Sequence, residues 1–221
     1  MLHLEHFRAE STRVNMECGA LLLYILFSIY SVGARQKPQI RAESNCEKIT
    51  RSPFYVPEFI PGKWRVYYTW GIKLNACTYV VLRSVSTQTQ THYAKKFEGH
   101  MEEEIDWYSS ELKITTGLGE QLLMFAEGDG RGRFRAVETN RFFEVSPEVP
   151  VSLTKYAIKS YHFFRYLVLL NCENFRGYLM ARPADRFVTT KEIVNLIDTI
   201  LPGENGYFAC IPELNEVYKQ Q

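Results

Sequence analysis

Residue types that could carry catalysis or bind a metal are sparse in this sequence. Of its five histidines, His92, His100 and His162 lie in the body of the chain, and no two of them are spaced to share a metal on one helix face. Three consecutive glutamates, 102–104, would point in different directions on a strand or loop, so we expect a solvated face. The glycine-rich run 128–132 lacks the setting of a dinucleotide fingerprint and predicts a hairpin turn. The sequence therefore predicts neither an enzyme nor a metal site.

Charge and composition narrow the class of partner. The 26 basic and 25 acidic residues nearly cancel, and the formal charge of +1 gives no basic surface of the kind that nucleic-acid binding needs. Aromatic residues make up 14% of the chain, and such side chains favour strands and line apolar pockets. A β-rich binding protein is the expected class.

A predicted leader precedes the domain. The apolar run over residues 20–32 is too short for a membrane-spanning helix, which needs roughly 20 residues, and fits a signal-peptide core with cleavage after Ala34. Residues 1–34 are therefore predicted to be a leader and residues 35–221 a single secreted domain with no integral membrane segment. The polar stretch before the run is either sequence upstream of the true initiator, Met16, or a long n-region. A buried apolar helix is the alternative.

Four cysteines follow the predicted leader, at positions 46, 77, 172 and 210. An even number in an exported chain indicates two disulfides, and the residues alone leave three pairings open. No two of them have the close spacing of a zinc site.

The elements that must position any site are mainly strands. Because no helical pattern alternates with the apolar runs, we expect an antiparallel meander, closed into a barrel or folded as a sandwich. The capping box Thr189-Thr190-Lys191-Glu192 begins one amphipathic helix, which must lie outside a barrel. The eight or nine predicted strands are residues 64–70, 77–85, 90–99, 107–115, 121–127, 133–139, 151–158, 166–172 and 177–183.

The order of several motifs resembles the lipocalin family, and within it the insect bilin-binding, insecticyanin and apolipoprotein D branch. Gly62-Lys63-Trp64 opens the first strand as the family's G-x-W motif does, and residues 161–172 take the place of its T-D-Y loop and following strand. Arg182, the late helix and the order of the cysteines complete the match over residues 44–212. The resemblance implies an all-β, eight-stranded antiparallel up-and-down barrel with one C-terminal α-helix packed outside.

The same resemblance implies structural roles. Trp64 should plug the closed end of the barrel, beside Gly62 and under Arg182, in a cation–π contact of about 0.5 to 2 kcal/mol. Tyr161-His162-Phe163 departs from the T-D-Y pattern, and the segment 127–151 is longer than relatives allow. Neither change affects the expected fold, but both leave the identity of the ligand undetermined. The implied disulfides are Cys46 with Cys172 and Cys77 with Cys210.

Ligand contacts are predicted from alternation along the strands. If Trp64 faces inward, the period of two puts Val66, Tyr68 and Trp70 on the same inner face. Weaker alternation arguments add Tyr79, Val81, Trp107, Leu123 and Phe125. Candidates for a salt link to a ligand carboxylate are Arg83, Lys95 and Lys96.

The expected function is that of a secreted carrier. It would hold a small hydrophobic molecule inside the barrel without covalent change; for this branch the resemblance implies a bile pigment such as biliverdin, with retinoids, fatty acids and sterols as alternatives. The rival hypothesis is a secreted interaction protein that acts on a protein partner through loops such as 127–151 and keeps a filled, ligand-free barrel.

Overall fold

The strands follow one another around a sheet that closes on itself. The computed structural model describes residues 42–51, 57–128, 132–140, 149–183 and 188–211. The predicted leader lies outside them. None of the helices in these ranges is long and apolar enough to span a membrane. The elements, in chain order, are α1 (42–50), β1 (Gly62–Trp70), β2 (Tyr79–Ser84), α2 (Thr87–Lys96), β3 (Ser110–Thr115), β4 (Gln121–Ala126), β5 (Arg133–Glu138), β6 (Thr154–Tyr161), β7 (Tyr166–Asn171), β8 (Gly177–Ala181), α3 (Thr190–Ile200) and β9 (Gly206–Phe208).

Strands β1 to β8 form the barrel. Each pairs antiparallel with the next, and β1 pairs with both β2 and β8, which closes the sheet. The short strand β9 pairs with the far end of β1, outside the barrel. This confirms the predicted eight-stranded antiparallel up-and-down barrel. Closure removes exposed strand edges, and eight strands enclose room for side chains or one small ligand.

Helix α3 packs on the outside of the barrel, as predicted. Its N-cap is Thr189, whose hydroxyl accepts a hydrogen bond from the Glu192 N–H at 3.3 Å, and the Glu192 carboxylate accepts another from Arg165 Nη1 at 2.6 Å. The apolar stripe of the helix is buried against one outer side of the barrel. We name this the α3 cluster; its main members are Tyr68, Trp70, Tyr166, Val168, Leu170, Leu179, Ile193, Leu196, Ile197, Ile200 and Phe208.

Residues 90–99, predicted as a strand, instead form most of helix α2 and the turn after it. The Ser86 side chain caps the helix by accepting a hydrogen bond from the Thr89 N–H at 3.3 Å. The buried aromatic residues that suggested a strand lie four positions apart, on one helical face. They pack on the outer side of β4 and β5. We name this the α2 cluster: Tyr93, Phe97, Leu123, Phe125 and Val137, with the partly buried Trp107.

Both disulfides are those that the resemblance implies. Cys46 in α1 is bonded to Cys172, directly after β7, and Cys77 in the loop between β1 and β2 is bonded to Cys210 after β9. Strands β4 and β5 also form the hairpin predicted around 128–132, where the Glu127 N–H donates to the Arg133 carbonyl at 2.9 Å. Its tip, residues 129–131, lies outside the described residues, as do residues 141–148 of the long segment.

The end of the barrel where β1 begins is closed by Trp64, which is fully buried. The Arg182 guanidinium lies 4.3 Å from the centre of its ring and donates to the carbonyls of Pro61 at 3.1 Å and Phe59 at 2.6 Å. Burial lowers the pKa of Arg182. A Cβ on Gly62, whose φ is +141°, would overlap the guanidinium, so this position requires glycine.

Candidate ligand-binding site

The inner wall of the barrel is mainly aliphatic. Its side chains are 0–4% exposed, so the interior is closed to solvent in this structure. We name this set the inner cluster; its strand residues are Trp64, Val66, Val80, Leu82, Leu112, Ile114, Leu122, Met124, Phe134, Ala136, Ile158, Leu167, Leu169, Tyr178 and Met180. Such a wall can solvate an apolar molecule.

Strand β1 places Val66 inside, as predicted, but not Tyr68 or Trp70. A β-bulge between Val66 and Tyr68 shifts the register against β8, so Tyr68 lies opposite Leu179 of the α3 cluster, and Trp70 is also in that cluster. Because one extra residue reverses the side on which the following side chains lie, strict alternation was the wrong rule here. The prediction that Tyr68 and Trp70 line the interior is therefore wrong.

Strand β2 faces the other way from the prediction. In the register with β1, Val80 lies opposite Trp64, so Val80 and Leu82 face inward while Tyr79 and Val81 face outward. Lys63 lies 4.0 Å above the Tyr79 ring on that outer surface. The charged Arg83, which shares the side of Tyr79 and Val81, is the signal in the sequence that could have identified the outward face.

Strand β4 has apolar residues on both faces. Leu122 and Met124 face inward, whereas Leu123 and Phe125 pack under α2. Trp107, in a short 3-10 helix, lies outside as well, with its ring centre 5.5 Å from that of Phe97 and 5.7 Å from that of Phe125. Three further predicted contacts, Trp107, Leu123 and Phe125, therefore belong to the α2 cluster.

The charged residues singled out in the sequence also lie outside. Arg83 and Lys95 are exposed, and Lys96 donates to the Thr139 carbonyl at 2.8 Å, so none of these three cations faces the interior. Glu103 of the acidic run binds Arg135 through both of its carboxylate oxygens, on the outer side of β5. His162 lies in the exposed turn between β6 and β7, as predicted.

Polar side chains gather at the opposite end of the barrel from Trp64, which we call the open end. Thr116 donates a hydrogen bond to Glu120 Oε2 at 3.1 Å, and Glu138 lies opposite the inward-facing Leu122. Tyr156 lies opposite Phe134 and packs on the inner cluster, of which Tyr178 is a member. We name this group the polar rim: Thr116, Glu120, Glu138, Tyr156 and Tyr178.

Burial governs the two tyrosines of the polar rim. It raises the pKa of Tyr178 to about 12, with a further contribution from the negative charge of Glu120, while Thr116 and Arg176 oppose the rise. It also raises the pKa of Tyr156, with Glu120 and Glu138 adding to the effect and Asn171 opposing it. Both phenols therefore stay protonated at neutral pH and can donate hydrogen bonds.

A loop of residues 71–78, which we call the mouth loop, covers part of the open end. Its Ile72 and Leu74 pack against the inner cluster, as does Ala209 from the segment after β9. The Cys77–Cys210 disulfide joins the two segments, and a cleft of about 390 Å³ lies between them. The stapled loop therefore lies over part of the route into the interior from this end.

Comparison with known proteins assigns no family. No family model matches the chain, and no curated protein matches it. Across the residues that the structure describes, no group of His, Cys, Asp and Glu side chains is arranged to hold a metal ion.

Proposed function

We propose that this protein is a secreted, lipocalin-like carrier that holds a small hydrophobic molecule inside its barrel and releases it unchanged. The observation that supports this best is a closed eight-stranded barrel whose inward side chains are mainly aliphatic. The Gly62-Lys63-Trp64 motif under Arg182 and the two disulfides agree with the family resemblance. Disulfides are typical of exported proteins, which supports secretion.

Desolvation would supply the affinity. Burying roughly 300 Å² of apolar ligand surface at about 25 cal/mol/Å² gives on the order of 7 kcal/mol before the costs of association. Since a Kd of 1 μM corresponds to about 8.2 kcal/mol, desolvation of this size would supply most of the free energy of micromolar binding before those costs are subtracted. A bile pigment such as biliverdin, a retinoid, a fatty acid and a sterol are the ligand classes that the resemblance implies, and each has the required apolar body.

The test is a titration with N-phenyl-1-naphthylamine, a neutral fluorophore that brightens in apolar surroundings. We expect saturable binding at one site. Ala136→Phe adds a ring to the inner wall and should lower the affinity at least about tenfold, because the added volume occupies space that the ligand would need. Val81→Phe adds a ring to the outer side of β2 and serves as the matched control, with unchanged affinity expected. Equal binding by both variants would place the fluorophore elsewhere and contradict the proposal.

One observation favours the rival function, action on a protein partner. Phe163 is 89% exposed at the turn between β6 and β7, beside the stacked rings of Phe59 and Phe164, whose centres are 4.8 Å apart. His162, Phe163 and Phe164 all have positive φ, from +49° to +63°, which is a costly conformation for residues with a Cβ. A partner that used this tip would lose its binding on Phe163→Asp, while fluorophore binding in the barrel would stay the same.

A further inference from the structure

The two disulfides differ in their access to solvent. Cys77 is exposed and Cys210 is half-buried, whereas Cys46 and Cys172 are only 6% and 7% exposed. Cys210 packs against the α3 cluster, so Cys77 is the more accessible residue of its pair. Thiol–disulfide exchange begins when a thiolate attacks one of the two sulfurs, and access therefore decides which disulfide reacts first.

The space beside each disulfide differs as well. The cleft of about 390 Å³ lies against both Cys77 and Cys210, and the charged residue that lines it is Lys73. The pocket against the other disulfide measures about 80 Å³. Its charged lining residues are Glu43, Glu47, Glu127, Arg133 and Lys155. Both the size of the cleft and the sign of its charge favour the approach of a thiolate to Cys77.

The middle of the mouth loop depends on this disulfide for its position. Residues 73–77 form no hydrogen bond with any other residue that the structure describes. The nearest hydrogen bonds flank them: Ile72 accepts one from the Thr69 hydroxyl, and Thr78 accepts one from the Val66 N–H at 3.0 Å. Apart from side-chain packing, the disulfide is therefore what holds this stretch of the loop against the segment after β9.

We propose that Cys77–Cys210 is a thiol–disulfide exchange site, which a low-molecular-weight thiol opens while Cys46–Cys172 stays oxidised. The thiolate attacks the Cys77 sulfur and forms a new S–S bond there. The bond between the two cysteines breaks, and its electron pair goes to the Cys210 sulfur, which takes a proton from water. A second thiol then attacks the mixed disulfide and releases Cys77 as a thiol. Two cysteines are thereby reduced, and two small thiols are oxidised to their own disulfide.

Opening this disulfide frees residues 73–77 and leaves the barrel closed. The hydrogen bonds of Ile72 and Thr78 stay in place on either side of the stretch. The Cys46–Cys172 disulfide continues to tie α1 to the barrel. This inference goes beyond the carrier function and does not depend on it, because no step involves the interior of the barrel.

The first experiment exposes the folded, oxidised chain to graded concentrations of reduced glutathione. Samples are quenched with acid, alkylated and mapped by peptide mass spectrometry. We expect Cys77–Cys210 to be lost at least about tenfold faster than Cys46–Cys172, with glutathione attached to Cys77 in the mixed disulfide. Equal rates of loss, faster loss of Cys46–Cys172, or glutathione found mainly on Cys210 would contradict the proposal.

The second experiment measures the freedom of the loop by limited digestion with trypsin, which can cleave after Lys73. Cleavage there should become at least about tenfold faster once the disulfide is open, because the stretch can then leave the surface. Lys95, which is exposed on α2, is the internal control, and cleavage after it should not change. An unchanged rate after Lys73 would show that the disulfide does not restrain the loop, and would contradict that part of the proposal.

Paired variants separate the two disulfides. The double change Cys77→Ser with Cys210→Ser should reproduce the fast cleavage after Lys73 without any thiol, whereas Cys46→Ser with Cys172→Ser should not. If either variant fails to fold, the glutathione series on the unaltered chain decides the question alone. Failure of N-phenyl-1-naphthylamine to bind would contradict the carrier function and leave this inference standing.

Discussion

The two faces of the barrel wall are both apolar, but they differ in their side chains. On the outside, aromatic rings contact one another: Tyr68 lies 5.3 Å from Trp70 and 5.1 Å from Phe208, and Trp107 lies between Phe97 and Phe125. The inside is chiefly Val, Leu, Ile and Met, with Trp64 at the closed end and Phe134 and Tyr178 as its other aromatic residues. Rings with defined mutual geometry suit permanent contacts between helix and sheet. The mainly aliphatic inner wall is the face on which the proposed ligand would bind.

Removing a disulfide should have the largest effect on stability. One disulfide lies on the outer side of the barrel and the other holds the mouth loop over the interior. They close loops of similar size, with sequence separations of 126 and 133 residues. Replacing either pair with serine should therefore destabilise the fold by a similar amount, about 4 to 5 kcal/mol in a chain-entropy estimate. Urea unfolding measures this loss.

Ligand kinetics should distinguish the two disulfide variants. Cys46–Cys172 ties α1 to the outer side, whereas Cys77–Cys210 staples the mouth loop over the interior. Under conditions where both variants stay folded, the loss of Cys77–Cys210 should speed fluorophore dissociation, and the loss of Cys46–Cys172 should not. Equal dissociation rates in stopped-flow measurements would show that the mouth loop is not the entry route.

Two adjacent leucines on β4 test the difference between the inner and outer faces, with an expected loss of stability of intermediate size. Leu122 and Leu123 are 4% and 0% exposed and face opposite sides of the wall. Each change to alanine should cost about 2 to 4 kcal/mol, because each leaves a cavity in a packed cluster. The affinity for N-phenyl-1-naphthylamine should change in Leu122→Ala and stay constant in Leu123→Ala. An equal change of affinity in Leu123→Ala would mean that binding of the fluorophore depends on overall stability and not on contact with the interior.

The smallest expected effect is the contribution of Tyr178 to stability at alkaline pH. Its pKa is raised from the ordinary 10.0 to about 12, so the folded protein keeps a proton that the unfolded chain has lost in that interval. The contribution of this residue to stability is present below pH 10 and is lost as the pH rises toward 12, by at most about 1.4 kcal/mol per pH unit. In Tyr178→Phe, the free energy of unfolding should fall less steeply with pH across this range. Denaturant unfolding at several pH values measures this dependence. An identical slope would show that the pKa of Tyr178 is not raised in the folded protein.

The barrel was predictable because turn signals separate its strands, and α3 because a capping box begins it. Which face of each strand points inward was not predictable in the same way. Strand β4 is apolar on both faces, so its facing depends on α2, whose aromatic residues had suggested a strand. Strand β1 carries a bulge that alternation cannot reveal. Strand β3 carried a clear signal, since Leu112 and Ile114 alternate with Glu111 and Lys113, although neither was among the predicted contacts. The polar rim was missed because its members come from loops and strand ends far apart in sequence.

The most direct test of the central claim is a methyl NMR titration of the protein with N-phenyl-1-naphthylamine. Neighbouring residues on opposite faces provide internal controls: Leu122 beside Leu123, Leu169 beside Leu170, and Met180 beside Leu179. We predict that the methyl signals of Leu122, Leu169 and Met180 shift on binding while those of their neighbours stay in place. Shifts confined to Leu123, Leu170 and Leu179 would contradict the account and place the ligand on the outside of the barrel.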